Sequence, residues 1–223
     1  MPGRCGTRSE GDALLSRTMQ SLREARREAT VAYSLHSRRR KREFAVNFAR
    51  QRGVRSVLLV GVSGGGGLGK TSDERASMKI ENVIERGLLA AGLTVTASGL
   101  EDAAVGWDDY VCANALELAF DDRSFDLVYS NAVIEHVGDE ADQRQYVAEH
   151  ARVGKSWIFT TPNRWFPIES HSDVFFKHWR DDWVKESPLM TRLLGPRDVQ
   201  ALLPTGSRLH GHFYSPTLTA TSF

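Results

Sequence analysis

The residues with the clearest chemical potential gather around a glycine-rich turn. The apolar run Arg55–Ser63 (RSVLLVGVS) leads into Gly64-Gly-Gly-Gly-Leu-Gly69-Lys70-Thr71. Glycines directly after a buried strand let backbone N–H groups approach a ligand, and the start of the following helix favours negative charge. A second concentration of polar residues holds Asn114, Ser130, Asn131, Glu135 and His136, and a third runs from Thr160 to His171. His136, Glu169 and His171 are residue types that can move a proton near neutral pH. Trp165 and Phe166 offer flat apolar faces to an acceptor. Glu101 is a lone carboxylate just beyond an apolar segment.

The elements that must hold these residues follow from periodicity. Leu14, Met19, Leu22, Ala25 and Ala29, then Phe44, Ala45, Phe48 and Ala49, recur at helical spacing, predicting helix over 9–52 with Gly53 as its stop. Arg55–Ser63 fits a fully buried parallel strand. After the glycines, Thr71-Ser-Asp-Glu74 has the form of a capping box, and Ala76, Ile80, Val83, Ile84, Leu88 and Ala91 keep one helix face apolar up to Gly92. Further strands are expected at Leu93–Ser98, Tyr110–Ala113, Phe125–Ser130 and Ser156–Thr160, with a helix near Glu140–Arg152 and Glu135-His136 opening it. A helix at Arg197–Leu203 and two strands, Arg208–Phe213 and Thr217–Ser222, complete the chain, with Ser215-Pro216 as the hairpin turn. This alternation predicts an α/β fold. Its seven-stranded sheet would be doubly wound, Rossmann-like and mostly parallel, with an antiparallel C-terminal strand. The expected division is a helical segment at 1–53, a possible substrate cover, and a catalytic domain at 54–223.

Composition sets outer bounds. The chain has 223 residues, and its 29 Lys+Arg nearly balance 28 Asp+Glu, so no global field calls for a polyanionic partner. The run Arg38-Arg39-Arg40-Lys41-Arg42 reads as a solvated helix face, with a phosphate, acidic lipid or RNA contact as the alternative. Cys5 and Cys112 match no metal spacing and suggest a reducing compartment. No apolar run is long enough for a signal peptide or a membrane span, so the expectation is a cytoplasmic protein without a metal.

Two families use a glycine turn of this kind. Gly64–Thr71 satisfies G-x-x-x-x-G-K-[ST] and so resembles the phosphate loop of P-loop nucleotidases, in which Lys70 would reach the β- and γ-phosphates and Thr71 would hold magnesium. Such an enzyme wants a later strand ending in a magnesium-binding aspartate, and none does. Leu58-Leu-Val-Gly61-Val-Ser63-Gly-Gly65 also resembles the first motif of class I S-adenosylmethionine-dependent methyltransferases, with Leu59 at the usual acid and Ser63 at the middle glycine. Asn114-Ala-Leu-Glu-Leu-Ala-Phe-Asp-Asp-Arg-Ser-Phe-Asp-Leu-Val-Tyr-Ser-Asn-Ala-Val-Ile-Glu-His136-Val is similar to the same family's central segment. Thr160-Thr-Pro-Asn-Arg-Trp-Phe-Pro-Ile-Glu-Ser-His171 resembles the loop after the fifth strand in its bacterial small-molecule, type 11-like branch.

The resemblance implies S-adenosylmethionine as cofactor, bound over the carboxyl ends of the strands. Val60, Gly61, Ser63 and Gly65 would line its amino-acid end. The family's ribose-binding acid aligns with Gly99, leaving Glu101 as the substitute. Asn114 and Ala115 occupy the adenine-contacting pair, and the backbone of Ser130 and Asn131 would face the cofactor. The acceptor would be a small molecule, with His136, Glu169 or His171 as candidate bases. Nucleic acid is disfavoured, because Ser130-Asn-Ala-Val stands where DNA amino-methylating enzymes carry D/N-P-P-aromatic, and no basic run is interleaved with aromatics. A non-catalytic binding protein of the same fold is the remaining alternative, motivated by Leu59, Ser63 and Gly99.

Overall fold

The computed structural model describes residues 10–62, 83–102, 107, 109–169, 174–187 and 190–223. The expectations placed on Ser63, Gly65, the Gly64–Thr71 loop, the Thr71–Glu74 cap and His171 lie outside the described residues.

Helix α1 (Glu10–Gln51) runs for 42 residues and stops where Gly53 takes φ +64. Strand β1 (Ser56–Val60) follows, then α2 (Val83–Ala90), β2 (Thr94–Gly99), β3 (Tyr110–Cys112), β4 (Phe125–Asn131), a 3-10 turn (Ile134–His136), α3 (Glu140–Val153) and β5 (Gly154–Pro162). Beyond β5 come a second 3-10 turn (Lys177–Trp179), α4 (Asp181–Glu186), α5 (Pro196–Leu202), β6 (Arg208–His210) and β7 (Thr217–Thr221). The strands form one seven-stranded sheet in the order β3-β2-β1-β4-β5-β7-β6. Pairing is parallel from β3 through β5, and β7 runs antiparallel to both β5 and β6. The expected α/β architecture with its antiparallel C-terminal strand is therefore present.

Alternation along the central strands divides the core in two. Val57 and Leu59 of β1, Leu127 and Tyr129 of β4 and Ile158 of β5 face α1 and α2, where Ala45, Phe48, Ala49, Ile84 and Leu88 cover them. Leu58, Val60, Val128 and Phe159 face the other way, against Tyr146, Val147 and Val153 of α3 and Val199 of α5. The last turns of α1 thus belong to the core.

Three local expectations change. Glu135-His136 does not open the helix after β4. Those residues form a separate 3-10 turn, and α3 begins only after Asp139, whose carboxylate accepts from Ala141 and Asp142 N–H while Asp142 reaches back to Asp139 N–H. Strand β6 ends at His210, three residues early, because Gly211 adopts φ +110. The loop after β5 carries the Lys177–Trp179 turn and α4, neither of which the periodicity announced. Among the described residues no helix is long and apolar enough to cross a membrane.

Candidate functional site

The carboxyl ends of β1, β2, β4 and β5 share one edge of the sheet, and most of the candidate residues collect there. Val60 pairs with Ser98 on one side and Ser130 on the other. One step on, the chain turns at Gly61, whose φ is +83. A Cβ built at Gly61 would lie 2.4 Å from Val133 Cγ2. Glycine is therefore required here by backbone conformation and by the packed Val133 together. The N–H groups of Gly61 and Val62 both donate to Ser98 O at 2.9 Å, so these first amides of the turn are committed to the sheet.

The end of β2 explains why no acid stands at Gly99. A Cβ there would sit 2.2 Å from Val62 O and 2.9 Å from Tyr110 Oη. The β1 turn crosses directly over Gly99, and an acidic residue would have to displace it. Two residues further, Glu101 is exposed, and its backbone carbonyl is pinned by Tyr110 Oη at 2.8 Å. This fixes where the exposed carboxylate leaves the chain. Asn114 is also exposed, and its Oδ1 accepts Leu116 N–H at 3.0 Å, an Asx turn that leaves one lone pair and the amide N–H groups for another partner. Ala115 beside it is half-buried against the core.

The end of β4 carries two polar residues on opposite faces. Ser130 is 1% exposed, and its Oγ contacts both Tyr146 Oη and His150 Nε2, the latter at 3.2 Å. His150 Nδ1 lies 2.9 Å from Tyr146 O, an acceptor only, which places the ring proton on Nδ1. Nε2 then accepts from Ser130 Oγ–H, and Ser130 Oγ accepts from Tyr146 Oη–H. Burial holds His150 down to about 4 and pushes the Tyr146 phenol up. The Ser130 side chain is thus consumed in a closed network and is not offered to a ligand. Asn131, on the α1 side, accepts from Lys41 Nζ at 3.0 Å and from Thr160 Oγ1 at 2.8 Å. Ala132 then takes a left-handed φ of 56, with its N–H donating to Thr160 O at 2.8 Å.

The candidate bases His136 and Glu169 and their neighbour Glu135 are held differently. Glu135 is fully buried, accepting from Thr161 Oγ1 at 3.0 Å, while its carbonyl takes the N–H groups of Thr191 and Arg192. His136 is half-buried in the same turn. Glu169 is 2% exposed, its N–H donates to Val174 O, and its charge reaches His178, which burial keeps below the usual histidine range. Trp165 stacks on Phe213 with ring centroids 6.1 Å apart and meets Trp179 edge-on at 6.3 Å. Phe175, Phe176, Trp179, Phe213 and Tyr214 continue this surface and are exposed. Phe166 is half-buried next to it.

Lys41, Thr160 and Thr161 were not among the residues expected at the site. For Lys41 a signal was available. It lies four residues before Ala45 and seven before Phe48, on the buried stripe of α1 and not on its solvated face.

The donors of Lys41 and Asn131 that meet no partner among the described residues suit an anionic ligand group, and the exposed Glu101 carboxylate suits hydroxyls. Both kinds of group occur at the one sheet edge that a cofactor with an amino-acid tail and a ribose would span. Comparison with known proteins bears on the fold that holds these groups. Residues 65–156 match a family model described as a methyltransferase domain. A SAM-dependent methyltransferase from Archaeoglobus fulgidus superposes with a TM-score of 0.51 at 11% identity, covering 81% of this chain and 93% of that one. Magnesium protoporphyrin IX methyltransferase from Synechocystis, solved with bound S-adenosylhomocysteine, gives a TM-score of 0.50 at 13% identity over 86% of both chains. No curated protein sequence matches the chain.

Proposed function

We propose that the chain is a class I S-adenosylmethionine-dependent methyltransferase of the type 11-like branch, a reading supported by the family model over residues 65–156 and by the sheet order, and that it methylates a small molecule with an apolar or planar portion. The observation that carries the acceptor class is the aromatic ledge beside the end of β5. Trp165 and Phe213 stack there, and Phe175, Phe176, Trp179 and Tyr214 extend the surface outward. Exposed contiguous aromatic surface is costly in water unless something uses it. Flat exposed rings beside the carboxyl edge of the sheet offer stacking to a ligand of matching shape.

When bound, S-adenosylmethionine supplies a methyl group on a positively charged sulfonium, a good leaving group. The protein's own contribution is alignment and the exclusion of water, for which well-oriented reactions suggest about 7–11 kcal/mol. Val60 and Gly61 would line the amino-acid end, with the backbone of Ser130 and Asn131 opposite. Glu101 would accept from the ribose hydroxyls, and Asn114 and Ala115 would contact the adenine. Ser63 and Gly65 join this set by resemblance. His136, half-buried in the turn after β4, is the better of the two described candidates for a proton acceptor. Glu169 is buried and would first have to be uncovered, and His171 remains a candidate by sequence.

The test is calorimetry with S-adenosylhomocysteine and magnesium-ATP side by side, followed by methyl transfer from labelled S-adenosylmethionine to planar phenols and to sugars. S-adenosylhomocysteine should bind and magnesium-ATP should not. Binding of ATP alone, lost in Lys70→Ala, would return the glycine loop to the nucleotidase reading. Transfer to sugars with none to planar acceptors would remove the role given to the aromatic ledge.

A further inference from the structure

The basic run of α1 does not lie wholly in solvent. Helical phase turns Lys41 onto the stripe that holds Ala45 and Phe48, and Lys41 is half-buried. Its Nζ ends 3.0 Å from Asn131 Oδ1. Ser130 pairs with Val60 in the sheet register, so Asn131 stands beside Gly61, where β1 turns away. The ammonium therefore reaches the same edge as the glycine turn, from the α1 face.

The hydrogen bonds fix which way the Asn131 amide points. Lysine has donors only, and Thr160 Oγ1 also donates to Asn131 Oδ1, at 2.8 Å. The amide oxygen must face Lys41 and Thr160, so the amide nitrogen faces the opposite way. That nitrogen finds no partner among the described residues. Two donor groups, the charged ammonium and the neutral amide nitrogen, thus lie within one side chain's reach of each other at the carboxyl end of β4, on different sides of the Asn131 oxygen.

The surroundings make the ammonium receptive to an anion. Burial is the main reason it is held down to about 8. The Arg38 guanidinium one helical turn back pushes in the same direction, and the Glu135 carboxylate opposes both. Tyr129, on the same face of β4, is pushed up by burial and feels Glu85 of α2 and Arg38. These are the ionisable groups described around the site. A partly desolvated ammonium whose direct partner is a neutral amide gains more from an arriving carboxylate than an exposed lysine does.

The geometry points to Lys41, with the Asn131 amide it orients, as the group that binds the carboxylate of the cofactor's amino-acid tail. This rests on the methyltransferase reading above. The cofactor's sulfonium and α-amine are both cationic and would be repelled by Lys41. Its carboxylate is its only anionic group, at the end of the tail that the Gly61 turn is proposed to line. Lys41 would thereby distinguish a ligand with the amino-acid tail from one carrying only the adenosyl part.

The experiment compares S-adenosylhomocysteine with 5′-methylthioadenosine, which lacks the tail, by calorimetry on wild type, Lys41→Met and Lys41→Arg. Lys41→Met should weaken S-adenosylhomocysteine by about tenfold or more, as expected for losing a charge-assisted contact, and leave 5′-methylthioadenosine within about twofold. Lys41→Arg should recover most of the loss. Between pH 7 and 9 wild type should lose affinity for S-adenosylhomocysteine more steeply than Lys41→Met does. The ligand's own amine titrates equally in both, so the difference isolates Lys41. Lys41→Gln, which keeps a polar contact to Asn131, makes the same comparison if the methionine variant does not fold. Equal S-adenosylhomocysteine affinity in the folded variants, or an equal loss for both ligands, would overturn the inference while leaving a cofactor-binding protein. Failure of wild type to bind either ligand would instead overturn the methyltransferase reading beneath it.

Discussion

Ser130 and Asn131 are consecutive residues at the end of β4, and they point to opposite faces of the sheet. The two faces treat polarity differently. On the α3 side, Ser130, Tyr146 and His150 form a closed triangle in which every donor meets an acceptor inside the protein. On the α1 side, Lys41 and Thr160 both donate to one amide oxygen, and among the described residues donors are left over. A closed buried network adds to stability and uniqueness, whereas one with surplus donors keeps binding capacity in reserve. A polar cluster at the carboxyl edge of an α/β sheet is therefore not functional because of its position alone. The difference lies in what remains unsatisfied.

The variant with the largest expected effect breaks the frame shared by both faces. Gly61→Val would put a β-branched residue at φ +83, with its Cβ 2.4 Å from Val133 Cγ2. Backbone strain of this kind costs about 1–3 kcal/mol before the clash is counted. The turn should shift, lowering S-adenosylhomocysteine affinity by about a hundredfold or more and the melting temperature with it. Unchanged affinity in calorimetry, with circular dichroism reporting a folded domain, would detach the Gly61 turn from the site.

The closed side should answer to pH and not to ligand. His150 has its pKa depressed by burial from 6.5 to about 4. The unfolded chain therefore takes up a proton that the folded protein refuses. Stability should be full above pH 6.5 and be lost as pH falls from there to about 4, by roughly 3 kcal/mol. His150→Gln should flatten that limb of the urea-unfolding profile, and an unaltered profile would mean that His150 is not buried neutral. Ser130→Ala should cost about 1–3 kcal/mol by stranding Tyr146 Oη and His150 Nε2, while S-adenosylhomocysteine affinity stays within about twofold. A large loss of affinity in Ser130→Ala would erase the contrast between the faces.

That contrast was only half legible beforehand. Strands such as Ser56–Val60 and Phe125–Asn131 announce themselves as continuous apolar runs, and the C-terminal end of α1 falls within a residue of the bound set by its periodicity and Gly53. Ser130 and Asn131 could be put at a strand end, but their partners come from α3, β5 and α1, through contacts that sequence order does not reveal. Lys41 was obscured by four neighbouring arginines. A charge run looks solvated as a block, although helical phase sends one member of it inward. Gly99 looked like a missing acid, but its explanation is the carbonyl of Val62 crossing 2.2 Å from where a side chain would begin. No local pattern records that approach.

The smallest expected effect concerns the ribose, where the open side would extend across β1 to the end of β2. Gly99 cannot host an acid without moving the Val62 carbonyl, so Gly99→Asp should weaken cofactor binding and not improve it. Glu101 then remains the carboxylate near that edge, exposed and leaving the chain at a point fixed by the bond from Tyr110 Oη to Glu101 O. Glu101→Gln retains one carbonyl acceptor but loses the charge, so S-adenosylhomocysteine affinity should fall about tenfold, near the lower end for a charge-assisted bond. 2′-Deoxyadenosyl ligand should lose correspondingly less when Glu101 is changed, because part of the contact is already gone. Tyr110→Phe sharpens the test, since freeing the Glu101 carbonyl should reduce affinity without touching the carboxylate. If Glu101→Gln binds as wild type does, the ribose is held by neutral groups, and the surplus of charged contacts is confined to the α1 side.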